Sequence, residues 1–337
     1  MSLFAGIPKR GLILLALFVA AMVLAPLYAG AYLLSVLTLI LYFAYLGQAW
    51  NIMMGFAGQL SLGHALYVGL GAYASAALFV NFGLPPLLGL IAGAALAALA
   101  GLVIGFLGFR FCIQGVYFAL LTIAFAEFVR ILFEHFAWVG GTAGLFLPVS
   151  NRSDIDLINL RGTPEMFYYV ILAMTLGALA LCRALLRSRL GYYWLAIRED
   201  QEAAEALGID VFRAKMIAVA LSAALTALAG VFHAFFYNNL FPHQIFAMDS
   251  SIELLLGAII GGVGTLIGPI VGAFVLTPLS EGLSEITEGL KIDGIKQLVY
   301  GICVVLIVLF RPEGVWPWIA RRLGLDRTED GGEGGGR

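Results

Sequence analysis

From residue 11 to residue 109 the chain contains no Asp, Glu, Lys or Arg. A segment that long without a charge cannot be wrapped in water. At ~20 apolar residues per helical crossing of a bilayer, it holds about four crossings. Inside a bilayer every backbone amide needs an internal partner, which leaves helices or closed barrels. The apolar runs are continuous rather than alternating, so the spans are helices. The rest of the chain agrees: 61% of its 337 residues are hydrophobic and 12% are charged, against about 25% charged in soluble domains. The expected fold class is all-α, a polytopic membrane protein. It has about ten hydrophobic helical segments, including short or re-entrant Gly-rich helices.

The segments fall at residues 11–28, 31–52, 60–80, 86–108, 114–133, 166–187 and 214–236, then a Gly-rich pair at 251–262 and 264–279, then 295–310. Lys9 and Arg10 precede a first helix read as uncleaved, and basic residues mark the cytosolic side of short loops. Alternation then places Arg110 and the loop 187–215 inside and the loop 134–165 outside. Two crossings, or a re-entrant pair, over 251–279 leave an acidic loop at 281–293 outside and Arg311, Arg321 and Arg322 inside. The expectation is a multi-pass protein of the cell (inner) membrane with both termini cytosolic. Residues 1–318 form its membrane domain, and the Gly-rich tail 319–337 is disordered. Trp316 and Trp318 sit where an interfacial anchor would.

Several chemistries are missing. None of the four lysines (Lys9, Lys215, Lys291, Lys296) follows a glycine, so there is no phosphate-binding GxxxxGK[ST] loop. If ATP drives this chain, a partner binds the ATP. Cys112, Cys182 and Cys303 form no CxxC pair, and His64, His135, His233 and His243 lack metal-ligand spacing. There is no GxSxG elbow and no basic domain for nucleic acid. The chain is expected not to be an enzyme.

Two apolar stretches are studded with glycine: residues 51–71 (NIMMGFAGQLSLGHALYVGLG) and 253–272 (ELLLGAIIGGVGTLIGPIVG). Glycine is unfavourable inside a helix, so such runs signal close packing, a broken helix lining a transport path, or both. Gln59, Ser61, His64, Glu253, Gly261 and Gly262 are the path candidates there. Glu253 is placed in a first helical turn, capped by Asp249 or Ser250. Glu127 lies three residues before Arg130 and can pair with it, and Glu134 is four further on. The pair is either structural or a contact for substrate.

One stretch stops being oily. Residues 187–215 read RSRLGYYWLAIREDQEAAEALGIDVFRAK between two apolar runs. Within this polar island, residues 200–207 form a short helix, Gly208 stops it, and Asp210 caps the next. Leu195, Ala203, Ala204 and Leu207 give it an apolar side; Arg198, Glu199, Glu202 and Glu205 give a charged one. The Arg-rich flanks are read as orientation signals. The loop is either a solvated connector or a handle that docks on a cytosolic motor.

Glu202-Ala203-Ala204 followed by Gly208 resembles the EAA-x3-G core of the coupling loop in permease subunits of ABC importers. No Ile-x-Leu-Pro follows, which departs from the longer form. Residues 51–71, 118–132 (FALLTIAFAEFVRIL), 140–145 (GGTAGL), 191–208 and 251–272 occur in an order and spacing similar to the branched-chain amino acid permease family of these importers, in its LivM-like branch. The resemblance spans about residues 40–314, and related permeases for urea and short amides share most of it. Ala143 stands where Asn or Asp would be expected. The resemblance implies import of Leu, Ile or Val, with a second, LivH-like permease, two cytosolic ABC ATPases and an extracytoplasmic amino-acid-binding protein as partners. No cofactor would be bound by this chain; ATP and Mg would sit on the ATPases. The ATPases would push on Glu202, Ala203, Ala204, Leu207 and Gly208. A urea or short-amide permease, or an ion-coupled secondary transporter, are the alternatives.

Overall fold

The computed structural model describes residues 9–148, 156, 158–290, 295–311 and 313–323. Among these run α1 (Lys9–Tyr28), α2 (Ala31–Asn51), α3 (His64–Phe82), α4 (Pro86–Arg110), α5 (Val116–His135), α6 (Pro164–Leu186), α7 (Arg189–Glu199), α8 (Gln201–Ala206), α9 (Val211–Tyr237), α10 (Pro242–Ile245), α11 (Met248–Gly261), α12 (Gly268–Leu290), α13 (Ile295–Phe310) and α14 (Val315–Arg322). Two short strands, β1 (Leu145–Phe146) and β2 (Asn239–Leu240), pair antiparallel. Seven helical stretches among the described residues are long and apolar enough to cross a membrane. All ten expected apolar segments are helical, so the chain is an all-α, multi-pass membrane protein.

Helix α2 is the axis of the bundle. Tyr45 donates to Leu225 O (2.9 Å) and Ser222 donates to Ala49 O (2.8 Å), tying it to α9. Thr175 of α6 donates to Leu41 O (3.0 Å). Helix α4 joins the bundle through small residues. Gly89, Gly93, Ala97, Gly101 and Gly105 recur every four residues, are buried, and face α3 and α9. Lipid gives helices no hydrophobic reason to associate, so they pack by close approach along such stripes. The remaining face of α4 up to Phe109 is apolar and exposed, as lipid contact requires; the exposed face of α5 is apolar except at Glu127 and His135.

The bundle has two distinct ends. At one lie the polar island, Arg110, the turn after α2, the α11–α12 turn and the entry to α14. Gln114 reaches Gln201, Arg198 reaches Gly55, and Gly314 packs on Gly262. At the other lie the β1–β2 pair and the start of α4. Helix α1 meets α12 at Phe18–Phe274 and α6 at Met22–Tyr168, which runs it away from the island end.

Four expectations are corrected. The segment 60–80 becomes helical only at His64, because α2 runs on into a π-helical turn, Ile52–Phe56, and Gly58 then breaks the chain at φ +69°. Glu253 lies in the second turn of α11, not the first. The turn at α10 lets the helix start at Met248, Ala247 takes the capping place without a side-chain bond, and Ser250 donates back to Gln244 O (3.0 Å). Helix α12 continues through Pro278 to Leu290, so much of the acidic stretch 281–293 is helix; 291–294 lie outside the described residues. The tail is helical to Arg322, where the Arg322 guanidinium lies 4.4 Å from the Trp318 ring centre; residues 324–337 lie outside the described residues.

Candidate coupling site and transport path

The polar island folds as two helices rather than one. Ser188 caps α7 by accepting from Gly191 N (3.4 Å). Trp194 anchors it, fully buried, with Nε1 donating to Ala214 O (2.8 Å). Helix α8 is short and owes its shape to its two ends. Asp200 accepts from Ala203 N (3.0 Å) at the start. At the finish Gly208 (φ +85°) donates to Glu205 O (2.9 Å) and Ile209 donates to Ala204 O (3.1 Å). This is a Schellman closure, which needs a left-handed residue where Gly208 stands. Asp210 then caps α9 by accepting from Arg213 N (3.0 Å). A side-chain cap of this kind is worth ~1 kcal/mol.

The expected apolar side is split. Ala204 points inward and is buried, whereas Ala203 and Leu207 point outward with Glu202 and Glu205. Ala204 packs into the cluster that holds Trp194 and Ile197 of α7 and Val211, Ala214 and Ala218 of α9. Leu207 is 81% exposed at the polar end of the bundle. Among the described residues, this large apolar side chain has no cover.

Two part-buried bonds anchor the island beneath this surface. Lys215, 4% exposed, donates to Gln201 Oε1 (2.6 Å) and lies 5.4 Å from the Phe109 ring centre. Arg198 Nη1 donates to Gly55 O (2.7 Å) in the π-helical turn. The neighbouring Asn51 accepts from Gly264 N (2.8 Å) and donates to Thr265 O (2.9 Å), both in the α11–α12 turn. A Cβ at Gly55 would lie 2.7 Å from Gly264 N, and one at Gly264 would lie 2.5 Å from Arg198 Nη1. The island, the end of α2 and the α11–α12 hairpin are thus one tight knot. Arg198, read from sequence as an orientation signal in the flank, is its central bond. Asn51 and Lys215 were missed; an amide and an ammonium bordering oily runs were the available signals.

The path candidates do not converge. His64 is buried between Ser61 Oγ and Ser222 Oγ, at 3.0 Å from each. Gln59 donates to Ala57 O (2.9 Å). These bonds fasten the break before α3 to α2 and α9. Glu127 is half-exposed on α5 and receives Arg130 Nε (2.9 Å), with Glu134 on the other side of the guanidinium. Gly261 and Gly262 are buried at the α11–α12 crossing, where a Cβ on Gly261 would lie 1.7 Å from Gly268 O. Glu253 alone lines a cavity, of about 220 Å³, at the end opposite the island.

The chain is a helical membrane bundle with close glycine crossings inside it and a short capped helix held at one end. The sequence profile of the family described as branched-chain amino acid transport system / permease component matches residues 32–309, and the chain belongs to that family. It is 28% identical to the high-affinity branched-chain amino acid transport system permease protein LivM of Salmonella typhimurium strain LT2 and 29% to that of Escherichia coli strain K12. Each alignment covers 96% of this chain and 79% of the relative. Similarity to LivH of Escherichia coli strain K12 is 29% over 42% of this chain and 44% of that one. The chain is therefore LivM-like. No solved structure matches it.

Proposed function

We propose that the chain is the permease subunit of an ATP-driven importer of branched-chain amino acids (Leu, Ile, Val) in the inner membrane. It lies there with both ends and the polar island in the cytosol. Its partners in this reading are a LivH-like permease, two cytosolic ABC ATPases and an extracytoplasmic amino-acid-binding protein. ATP and Mg sit on the ATPases, and this chain is a conduit rather than a catalyst. Residues 1–318 are its permease domain, and 319–337 a cytosolic tail.

The observation that carries the reading is the exposed face of α8 joined to the knot beneath it. Glu202, Ala203 and Leu207 offer a small mixed surface for a groove on another protein, and Ala204 and Gly208 fix its angle. Load on that face passes through α7 and Arg198 to Gly55, and through Asn51 to Gly264 and Thr265. Closure of the ATPases then rocks the α11–α12 hairpin against α2 and changes access to the path.

The test is uptake of labelled L-leucine into proteoliposomes holding the four-part complex, with the binding protein added outside. Uptake is expected to require ATP and to be abolished by Glu202→Lys combined with Gly208→Pro, with complex yield retained. Full coupling in that double variant would sink the mechanism. Leucine uptake by this chain without ATPases, driven by an ion gradient, would sink the class.

A further inference from the structure

Helix α5 carries three charged groups beside a face that this chain leaves open. Thr122 and Ala126 are buried against the bundle, whereas Tyr117, Leu120, Phe128 and Ile131 are exposed. Glu127 stands on the open side, with half of its side chain exposed. Arg130 Nε donates to Glu127 Oε2 (2.9 Å), and its two terminal nitrogens donate to Glu127 Oε1 and Glu134 Oε1. One guanidinium thus serves two carboxylates, which leaves the group with one negative charge in excess.

The depth of this group decides what can lie against it. Helix α5 has 20 residues, about 30 Å at the helical rise, which matches the hydrocarbon core of a bilayer. Glu127 lies about 16 Å from the Val116 end and about 12 Å from the His135 end. A helical side chain leans toward the N-terminus of its helix, which draws this carboxylate toward the bilayer centre rather than out to the nearer surface. Ionisable groups at such depth face protein or a water-filled cavity, not acyl chains. The open face of α5 is therefore not a lipid face around Glu127. Its other members are large and apolar, which suits the surface of another membrane helix better than a column of water. The excess negative charge calls for a cation from that helix. An ionised carboxylate has about four acceptor sites, and Arg130 fills two at Glu127, so a second cation has room. A second copy of this chain does not supply one. Among the described residues, every Lys and Arg of the long apolar helices other than Arg130 lies in the first or last five residues of its helix. Two copies would bring two negative groups together, which opposes association.

We propose that the face of α5 around Glu127 is where this chain meets the second permease of the importer, and that a helix of that permease brings one Lys or Arg to the Glu127 carboxylate. The inference rests on the two-permease reading above and adds the surface of contact and its charge. Glu134 and Arg130 hold the carboxylate in place, and Phe128 and Ile131 pack on the incoming helix.

Photocrosslinking in membranes that hold the complete importer tests the contact. The crosslinker p-benzoylphenylalanine replaces Phe128 on this face or, for comparison, Leu99 on the exposed face of α4. Irradiation is expected to join the chain to the second permease at least fivefold more from position 128 than from position 99. Equal yields, or crosslinks from position 128 to lipid alone or to a second copy, overturn the contact. Retention of the second permease on affinity-purified chain tests the charge. Glu127→Gln is expected to lower it at least threefold, while Glu127→Asp, which keeps the charge, stays within twofold of the unmodified chain. Unchanged retention in Glu127→Gln, or equal losses in both variants, overturns the pairing. If Glu127→Gln also lowers the melting temperature of the isolated chain, the crosslink from position 128 decides. Absence of a second permease from the unmodified complex overturns the two-permease reading itself, whereas a retained permease that crosslinks elsewhere overturns the α5 contact alone.

Discussion

The two ends of the bundle hold their polar groups in opposite ways. At the island end, α8 turns Glu202, Glu205 and Leu207 outward and keeps its shape by bonds within a few residues of itself: Asp200 to Ala203, Gly208 to Glu205, Ile209 to Ala204. At the other end, Glu253, Gln244 and His233 turn inward, and their cavity has walls from four helices. A locally capped helix moves as a unit. A cavity assembled from four helices changes shape whenever one of them tilts. Helix α2 belongs to both, with Asn51 in the knot and Tyr42 against the cavity. Nine residues separate these two, about 14 Å at the helical rise. Helix α11 repeats the arrangement, with Glu253 on the cavity and Gly261 at the knot. The island end and the cavity thus share two helices, α2 and α11.

The comparison breaks most severely if the shared members are pushed apart. Gly261→Val places a methyl-bearing carbon where Gly268 O already lies 1.7 Å away. Backbone cannot yield as a flexible side chain does, so destabilisation of about 3 kcal/mol or more is expected, at the top of the overpacking range. Loss of the folded fraction in detergent-solubilised chain measures it, and a normal melting temperature would show that the crossing is looser than described. Arg198→Ala comes next. It removes the bond to Gly55 O and leaves that carbonyl in a buried setting, an expected cost of about 1–3 kcal/mol. The sharper readout is functional: ATPase turnover in the complex persists while leucine uptake falls about tenfold, since the lever still docks but no longer pulls on α2. Tight coupling in Arg198→Ala would mean that the load takes another route.

How much of this was legible in the sequence follows the same division. The spans were readable because lipid imposes one rule on every residue of a crossing; the glycine stripe of α4 was passed over, although its four-residue period is local. The stop of α8 at Gly208 was readable too, since it acts within four residues of its partners, whereas Asp200, read as part of the helix, proves to be its cap. The knot was not, because Asn51 meets Gly264 across 213 residues and no pattern in either segment announces the other. The π-helical turn was hidden for the same reason: nothing in IMMGF distinguishes it from a plain helical turn until Arg198 and Asn51 pull on it. Glu253 was singled out as an unusual charge and set in the first turn, whereas α11 starts earlier, at Met248 after α10. His233 was noted only for lacking metal-ligand spacing, and only the cavity beside it marks it out.

Smaller effects separate the caps from the surface they carry. Asp200→Ala removes one acceptor at the start of α8 and is expected to cost ~1 kcal/mol. Gly208→Val forces a β-branched residue into φ +85° and is expected to cost about 1–3 kcal/mol at a site with open space around it. Both should loosen α8 without unfolding the bundle, seen as faster amide exchange confined to residues 200–209. Slow exchange there in both variants would mean that packing on α9, not capping, holds the helix.

Leu207→Ser is the mildest change for the chain itself and the most telling for the comparison. With the side chain 81% exposed, its removal should leave stability within about 0.5 kcal/mol. Any loss it causes must then come from outside the chain. If α8 is the docking face, retention of the ATPases on affinity-purified permease falls severalfold in Leu207→Ser, while the melting temperature of the isolated chain does not move. An unchanged yield of ATPases would remove α8 from the interface and leave the knot beneath it as a structural brace.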